Sequence, residues 1–270
     1  MNAFNKRICG VMVFSVGVLM AVVANATAIP SGWVCDGGSL SCGTSGADGV
    51  VTLPPNGNTS YQWASTNDGS SGVGALPTGA LGNETNGATL ATSVFSANAG
   101  TALSFHFNFV TSDGSGFADY GWAALFDSSH TLSALLFTAR TAPTGSIVPG
   151  FGMPPVNATL LPASVPIIPG NSTWSPLGAD SGSCYNGPTA GCGYTGWVNA
   201  SYTIATAGNY YLQIGVTNWS DTAYDTGLAM SGVTVDGNPI INTPEPAALG
   251  MFGLGLLMIG VFARRRWRLG

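Results

Sequence analysis

Six of the seven basic residues of this 270-residue chain lie at its two ends, and that placement divides it into three parts. Lys6 and Arg7 precede an apolar stretch at 8–23, and Arg264, Arg265, Arg266 and Arg268 follow a 17-residue apolar run at 247–263. Between the ends, residues 29–242 hold one basic side chain, Arg140, against eleven carboxylates, with no lysine at all. A section with net charge −10 repels a phosphate polymer, which excludes nucleic acid as a partner. Divalent cations, neutral sugars and a hydrated matrix remain compatible with it.

The N-terminal part has the build of a signal peptide over 1–28: a basic start, an apolar core, and a small-x-small cleavage site at Ala24-Asn25-Ala26 or Ala26-Thr27-Ala28. At the other end, 17 helical residues would reach roughly 25 Å, close to a hydrocarbon core of about 30 Å. An arginine costs about 2.5–3.5 kcal/mol at the centre of such a span, so four at its edge halt transfer and stay cytoplasmic. Taken alone, these features describe an ordinary single-span anchor.

Pro244-Glu245-Pro246, the glycine-containing apolar run and the arginine cluster, in that order, resemble the tripartite PEP-CTERM sorting signal over 243–270. That tail is also known as an ice-binding protein C-terminal domain, a label shared by unrelated cargoes that does not imply ice binding. The resemblance implies an exosortase, a membrane transpeptidase-like enzyme, as processing partner, with cutting near Pro244, Glu245 and Pro246. It implies passage through the inner membrane with only transient anchoring, and release or transfer to the surface of a Gram-negative cell that makes exopolysaccharide. It concerns delivery and covers about a tenth of the chain.

Cys35, Cys42, Cys184 and Cys192 remain once the signal is removed, an even number suited to an oxidising compartment. Three pairings are possible. Short glycine-bearing loops favour Cys35 with Cys42 and Cys184 with Cys192, and a zinc site is disfavoured by the spacing and by the lack of nearby histidine.

The middle section is rich in Gly, Ser, Thr and Asn and is punctuated by turn pairs such as Asn56-Gly57 and Asp236-Gly237. Residues 101–110 alternate cleanly, with Leu103, Phe105, Phe107 and Phe109 on one face, and comparable strands are expected at 88–95, 119–126, 131–139, 196–205, 208–218 and 227–235. Weaker candidates lie at 49–53 and 59–64. Ala207-Gly208-Asn209 reads as a hairpin turn. Nine prolines between 141 and 190 nearly exclude regular pairing there, so 141–195 is expected to be an insertion wrapping the fold. The fold class is all-β, an antiparallel two-sheet sandwich of jelly-roll type over 29–242.

Segments 107–120 and 218–229 resemble paired signatures of lectin-like β-sandwich domains in anchored bacterial proteins. Each contains a loop with two aspartates, Asp113 with Asp119 and Asp221 with Asp225, and such oxygen-rich loops suit Ca²⁺, although aspartates also cap turns. Trp219 and Tyr224 lie within a polar loop and are candidate sugar-stacking faces. Catalysis finds little support: there is no Gly-x-Ser-x-Gly, and His106 and His130 are the only histidines. The expected function is a non-enzymatic surface or matrix protein that binds or reinforces exopolysaccharide. The alternatives are a matrix protein without a specific ligand and a polysaccharide hydrolase using an aspartate pair. Intact mass spectrometry of the protein from its own host should show both apolar ends gone and a deficit of about 4 Da for two disulfides. A mass retaining both ends would overturn the export reading.

Overall fold

The computed structural model describes residues 28–142, 144–187, 189 and 191–240. The signal core, Pro244, Glu245, Pro246, the 247–263 run and Arg264, Arg265, Arg266 and Arg268 lie outside the described residues.

The chain begins with β1 (Val34–Asp36), β2 (Cys42–Ser45), β3 (Tyr61–Ser65), β4 (Ser70–Ser71), β5 (Glu84–Ala91) and β6 (Phe95–Ala97). Three long strands follow, β7 (Ala102–Thr111), β8 (Tyr120–Asp127) and β9 (Leu132–Arg140). The proline-rich section supplies β10 (Ser146–Val148), β11 (Thr159–Leu161), β12 (Val165–Pro166), β13 (Ile168–Pro169), a 3-10 turn (Ser175–Asp180) and β14 (Gly193–Tyr194). Last come β15 (Val198–Thr203), β16 (Gly208–Trp219), β17 (Thr226–Val235) and β18 (Asn238–Pro239). One sheet runs β1-β5-β16-β8-β9, and the other β11-β15-β7-β17-β3-β2, every pairing being antiparallel.

Period-two alternation on β7 creates the core between the sheets. Leu103, Phe105, Phe107 and Phe109 are all fully buried, facing Leu125, Phe137, Leu212, Ile214 and Val216 of the opposite sheet. The Phe107 and Phe137 rings stack across the gap with centroids 3.6 Å apart and planes 3° from parallel.

β8 is buried on both faces. Ala123 and Leu125 enter the inter-sheet core, whereas Tyr120, Trp122, Ala124 and Phe126 belong to a second cluster on the outer face, with Leu76, Met153 and Val156 over them. Trp122 donates its Nε1 hydrogen to the Gly74 carbonyl at 2.8 Å, and its ring lies where a Cβ on Gly215 would sit 2.4 Å away. A third cluster packs Trp174 and Leu177 onto Tyr61, Trp63 and Val110, with Trp174 Nε1 donating to Tyr61 Oη at 2.9 Å. This contact seats the Ser175–Asp180 turn on the β3 sheet and thereby places Asp180.

The structure pairs Cys35 with Cys42 and Cys184 with Cys192, the connectivity that loop length favoured. Several local expectations change. The proline-rich section does contribute pairing, in strands of two or three residues, because pieces that short need few backbone donors. β15 and β16 lie in opposite sheets, so Ala207-Gly208-Asn209 is a crossover and not a hairpin turn; both strands send apolar residues into the same inter-sheet core instead of pairing edge to edge. Candidate strand 49–53 reduces to one bridge between Asp48 and Val51. Candidate strand 88–95 splits into β5 and β6, because at the break the Thr92 hydroxyl takes the Leu212 N–H at 3.0 Å.

Replacing Phe107 with Ala removes the ring that bridges the sheets and should destabilise the fold by about 3–5 kcal/mol. Urea denaturation at equilibrium measures this, and a loss below about 1 kcal/mol would show that the stacked pair does not hold the sheets together.

Candidate functional site

The two aspartate loops meet because of one register. Thr111, the last residue of β7, pairs with Thr226, the first of β17. The 112–119 connection to β8 and the 220–225 connection from β16 therefore leave the same end of the sandwich side by side. Ser112 fastens them, its backbone N–H and its hydroxyl both donating to the Asp225 carbonyl, at 3.1 and 2.8 Å. The proline-rich section closes over this end. Asp180 Oδ2 accepts the Asp225 N–H at 3.1 Å, and the Tyr185 N–H donates to the Ser112 carbonyl at 3.0 Å.

All four sequence-selected aspartates are thus brought together, and two side chains that sequence reasoning missed join them, Asp180 and Asn218. Asp119 is fully buried and braces the site: its Oδ1 accepts the Trp219 N–H at 2.8 Å and its Oδ2 accepts the Thr226 hydroxyl at 2.6 Å. Asp113, 1 % exposed, uses Oδ1 on the Gly114 N–H at 2.6 Å and leaves Oδ2 without a partner. Asn218, also fully buried, donates from Nδ2 to Asn86 Oδ1 at 3.1 Å and leaves its own Oδ1 unpartnered. Asp225 Oδ1 accepts the Thr66 hydroxyl at 2.8 Å, and Asp221 Oδ1 caps its own loop through the Ala223 N–H at 3.0 Å.

Charge accumulates here without compensation. Burial, with the Asp221 and Asp180 carboxylates nearby, raises the Asp113 carboxyl to about 7. Asp119 is held well above the usual carboxylate range by burial and by Asp113. Burial and Asp180 bring Asp225 to about 6, against the hydrogen bond from Thr66. Arg140 makes no hydrogen bond to the group: its guanidinium donates to the Ala118 and Phe151 carbonyls at 3.0 and 3.4 Å, lies 4.3 Å from the centroid of the Trp219 ring and reaches Asp119 only through charge attraction.

Half-buried aromatic rings rim the same end. Phe117 and Tyr185 meet edge to face at 5.3 Å, as do Tyr185 and Tyr224. Tyr224 adopts a left-handed backbone (φ 59°), an uncommon conformation for so bulky a residue. Trp219 stands apart from this row, between Arg140 and the Tyr120 ring at 6.3 Å.

Neither histidine reaches the acidic end. His106 sits within β7 with Nδ1 buried and unpartnered, and His130 lies beyond the far end of β8, its Nδ1 3.0 Å from Tyr211 Oη. An open cleft of about 450 Å³ flanks the Ser175–Asp180 turn, lined by Leu40, Asp48, Trp63, Asn67 and Gly178. Its one carboxylate, Asp48, accepts the Ser175 N–H at 2.9 Å. Among the described residues no three His, Cys, Asp or Glu side chains form a group that could hold a metal by themselves. Any cation at the acidic end must therefore take amide, carbonyl or water oxygens as well.

Residues 242–266 match the model of the PEP-CTERM protein-sorting motif. The chain carries a PEP-CTERM sorting signal. The motif implies an exported protein processed by an exosortase. No helix among the described residues is long and apolar enough to cross a membrane. No curated protein matches the sequence. Among solved structures, the cleaved adhesin domain of Lys-gingipain from Porphyromonas gingivalis is 10% identical with a TM-score of 0.35, covering 80% of this chain and 96% of that one. The enzymatically active domain of a bacteriophage CBA120 tailspike protein is 10% identical with a TM-score of 0.33, over 76% of this chain and 19% of that one. An arabinose-bound α-L-arabinofuranosidase is 10% identical with a TM-score of 0.32, over 78% and 25%. Likenesses this loose say nothing about activity.

Raised carboxyl pKa values make the folded state bind protons more tightly than the unfolded chain. Their stabilising contribution is complete below the unfolded value near 4 and is lost as pH rises through about 6 for Asp225 and about 7 for Asp113. In EDTA the melting temperature should therefore fall between about pH 4.5 and about pH 8, and Asp113→Asn should melt roughly 3 °C or more above the parent at the upper value. A parent melting temperature that stays level over this range would contradict the assignment.

Proposed function

We propose that this exported protein acts at the cell surface or in the extracellular matrix, where its sandwich binds exopolysaccharide at the acidic, aromatic-rimmed end. The observation that carries this reading is the row Phe117, Tyr185 and Tyr224, half-buried and locked edge to face beside a group of carboxylates. Rings held this way offer apolar faces to the C–H side of a pyranose at little entropic cost, and neighbouring carboxylates accept from its hydroxyls. Trp219 serves as support, because Arg140 already occupies one of its faces. Calcium belongs to the reading as the counter-ion of the acidic end. The sandwich is a binding domain and not an enzyme.

A hydrolase is the second reading, and one observation favours it. Asp113 is raised to about 7 by burial, and glycoside hydrolysis uses a carboxyl that holds its proton in this way. Burial of Asp113 weighs against it, since a general acid must reach its substrate. Affinity chromatography on the host's own exopolysaccharide separates the readings. Tyr185→Ala and Tyr224→Ala should each weaken retention about tenfold without lowering the melting temperature appreciably. Unchanged retention in both variants would remove the aromatic row from the account, and reducing-sugar release that disappears in Asp113→Asn would establish the hydrolase instead.

A further inference from the structure

We infer that the acidic end is a binding site for one hard divalent cation, Ca²⁺, taken between Asp113 Oδ2 and Asn218 Oδ1, with the Asp180 carboxylate and backbone and water oxygens closing the shell. It deepens the proposed function by naming the counter-ion of that site, and it rests on that reading only for the ion's part in holding sugar.

Two observations carry it independently of the carboxylate count. Asp113 and Asn218 are both essentially inaccessible, and each has a side-chain oxygen with no hydrogen-bond donor. Buried oxygens without donors are rare, because each forfeits its solvation for nothing in return. Two of them, one on the 112–119 connection and one at the end of β16, lack a partner here. The only Lys or Arg in the described section turns its guanidinium to backbone carbonyls. One metal ion can meet both oxygens at once, since it binds carboxylate and amide oxygens alike.

The chemistry of the donors selects the ion. Every candidate is an oxygen, neither histidine is nearby and all four cysteines in the described section are in disulfides, which disfavours zinc and copper. Calcium takes six to eight oxygens at flexible geometry and accepts amides and waters among them, so it does not need three carboxylates in a tight cage. Asp119 is a positioning residue: both its oxygens already accept protein hydrogens, from the Trp219 backbone and the Thr226 hydroxyl, and they hold the two loops at a set spacing. Because Asp180 comes from the proline-rich section, the ion would also fasten that section to the sandwich, where hydrogen bonds to Asp225 and Ser112 already hold it.

The test uses the exported protein purified from its host, treated with EDTA, dialysed and titrated with CaCl₂ alone. One ion per chain should bind. At a calcium concentration about a hundred times the dissociation constant, the melting temperature should rise roughly 5–10 °C, and protease cleavage within 141–195 should slow. Asp113→Asn, a near-isosteric change that relieves repulsion and so keeps the fold, should lose at least about tenfold in calcium affinity while its metal-free melting temperature stays level or rises. Asn218→Ala provides the second variant and should weaken calcium binding without involving a carboxylate. No binding heat and no thermal shift in the parent at about 10 mM Ca²⁺, or an unchanged calcium response in both variants, would overturn the inference. Because no polysaccharide is present, failure here leaves the sugar-binding reading standing, and loss of sugar retention with calcium binding intact would sink only the latter.

Discussion

Strand β7 does two jobs that the rest of the structure depends on. Its inward side chains, from Leu103 to Phe109, supply the middle of the inter-sheet core, and its pairing with β17 ends on Thr111 opposite Thr226. A slip of one residue would turn the phenylalanines outward and separate the loops that follow. Core and site are therefore set by the same register. The large apolar burial on one side of β7 offsets the cost of gathering carboxylates at its end.

That cost is considerable. Asp113 and Asp119 are both removed from water, and no lysine exists in the section to answer them. Asp119 is tolerated because two protein donors meet its oxygens. Asp113 and Asn218 are answered only in part, each leaving one oxygen without a donor. Both lie beside a left-handed tyrosine and a row of half-buried rings, whereas the unpartnered His106 Nδ1 and Asn108 Nδ2 lie within β7. The stability of the sandwich and the composition of its end are therefore in tension.

Export shapes the remainder. A chain leaving the cytoplasm can form disulfides, and the two among the described residues close short loops, one beside β1 and β2 and the other next to Tyr185 in the section that covers the acidic end. The sorting motif and the acidic body act at different stages: the tail directs processing by an exosortase, and the body meets what lies outside.

Much of this was readable in the order of residues. Alternation over 101–110 and 208–218 determines strands with defined inner faces, because a pleated chain sends neighbours to opposite sides. The ordered Pro-Glu-Pro, apolar run and arginine cluster carry the sorting motif, and the short spacings of Cys35 to Cys42 and of Cys184 to Cys192 favour local bridges. Where alternation says only that a face is apolar, it does not say what covers it: Tyr120, Trp122 and Phe126 share one face of their strand, and that face is roofed by Leu76, Met153 and Val156 and not by the opposite sheet. Nor does a turn motif reveal whether the next strand joins the same sheet, which is why Ala207-Gly208-Asn209 misleads. The sequence alone determined that Asp113, Asp119, Asp221 and Asp225 sit in polar loops. Only the tertiary structure decided that those loops share one end, that Asp180 and Asn218 join them, and that Asp113 Oδ2 and Asn218 Oδ1 lack a donor, because closeness between residues a hundred positions apart is set by strand register and packing and leaves no local trace.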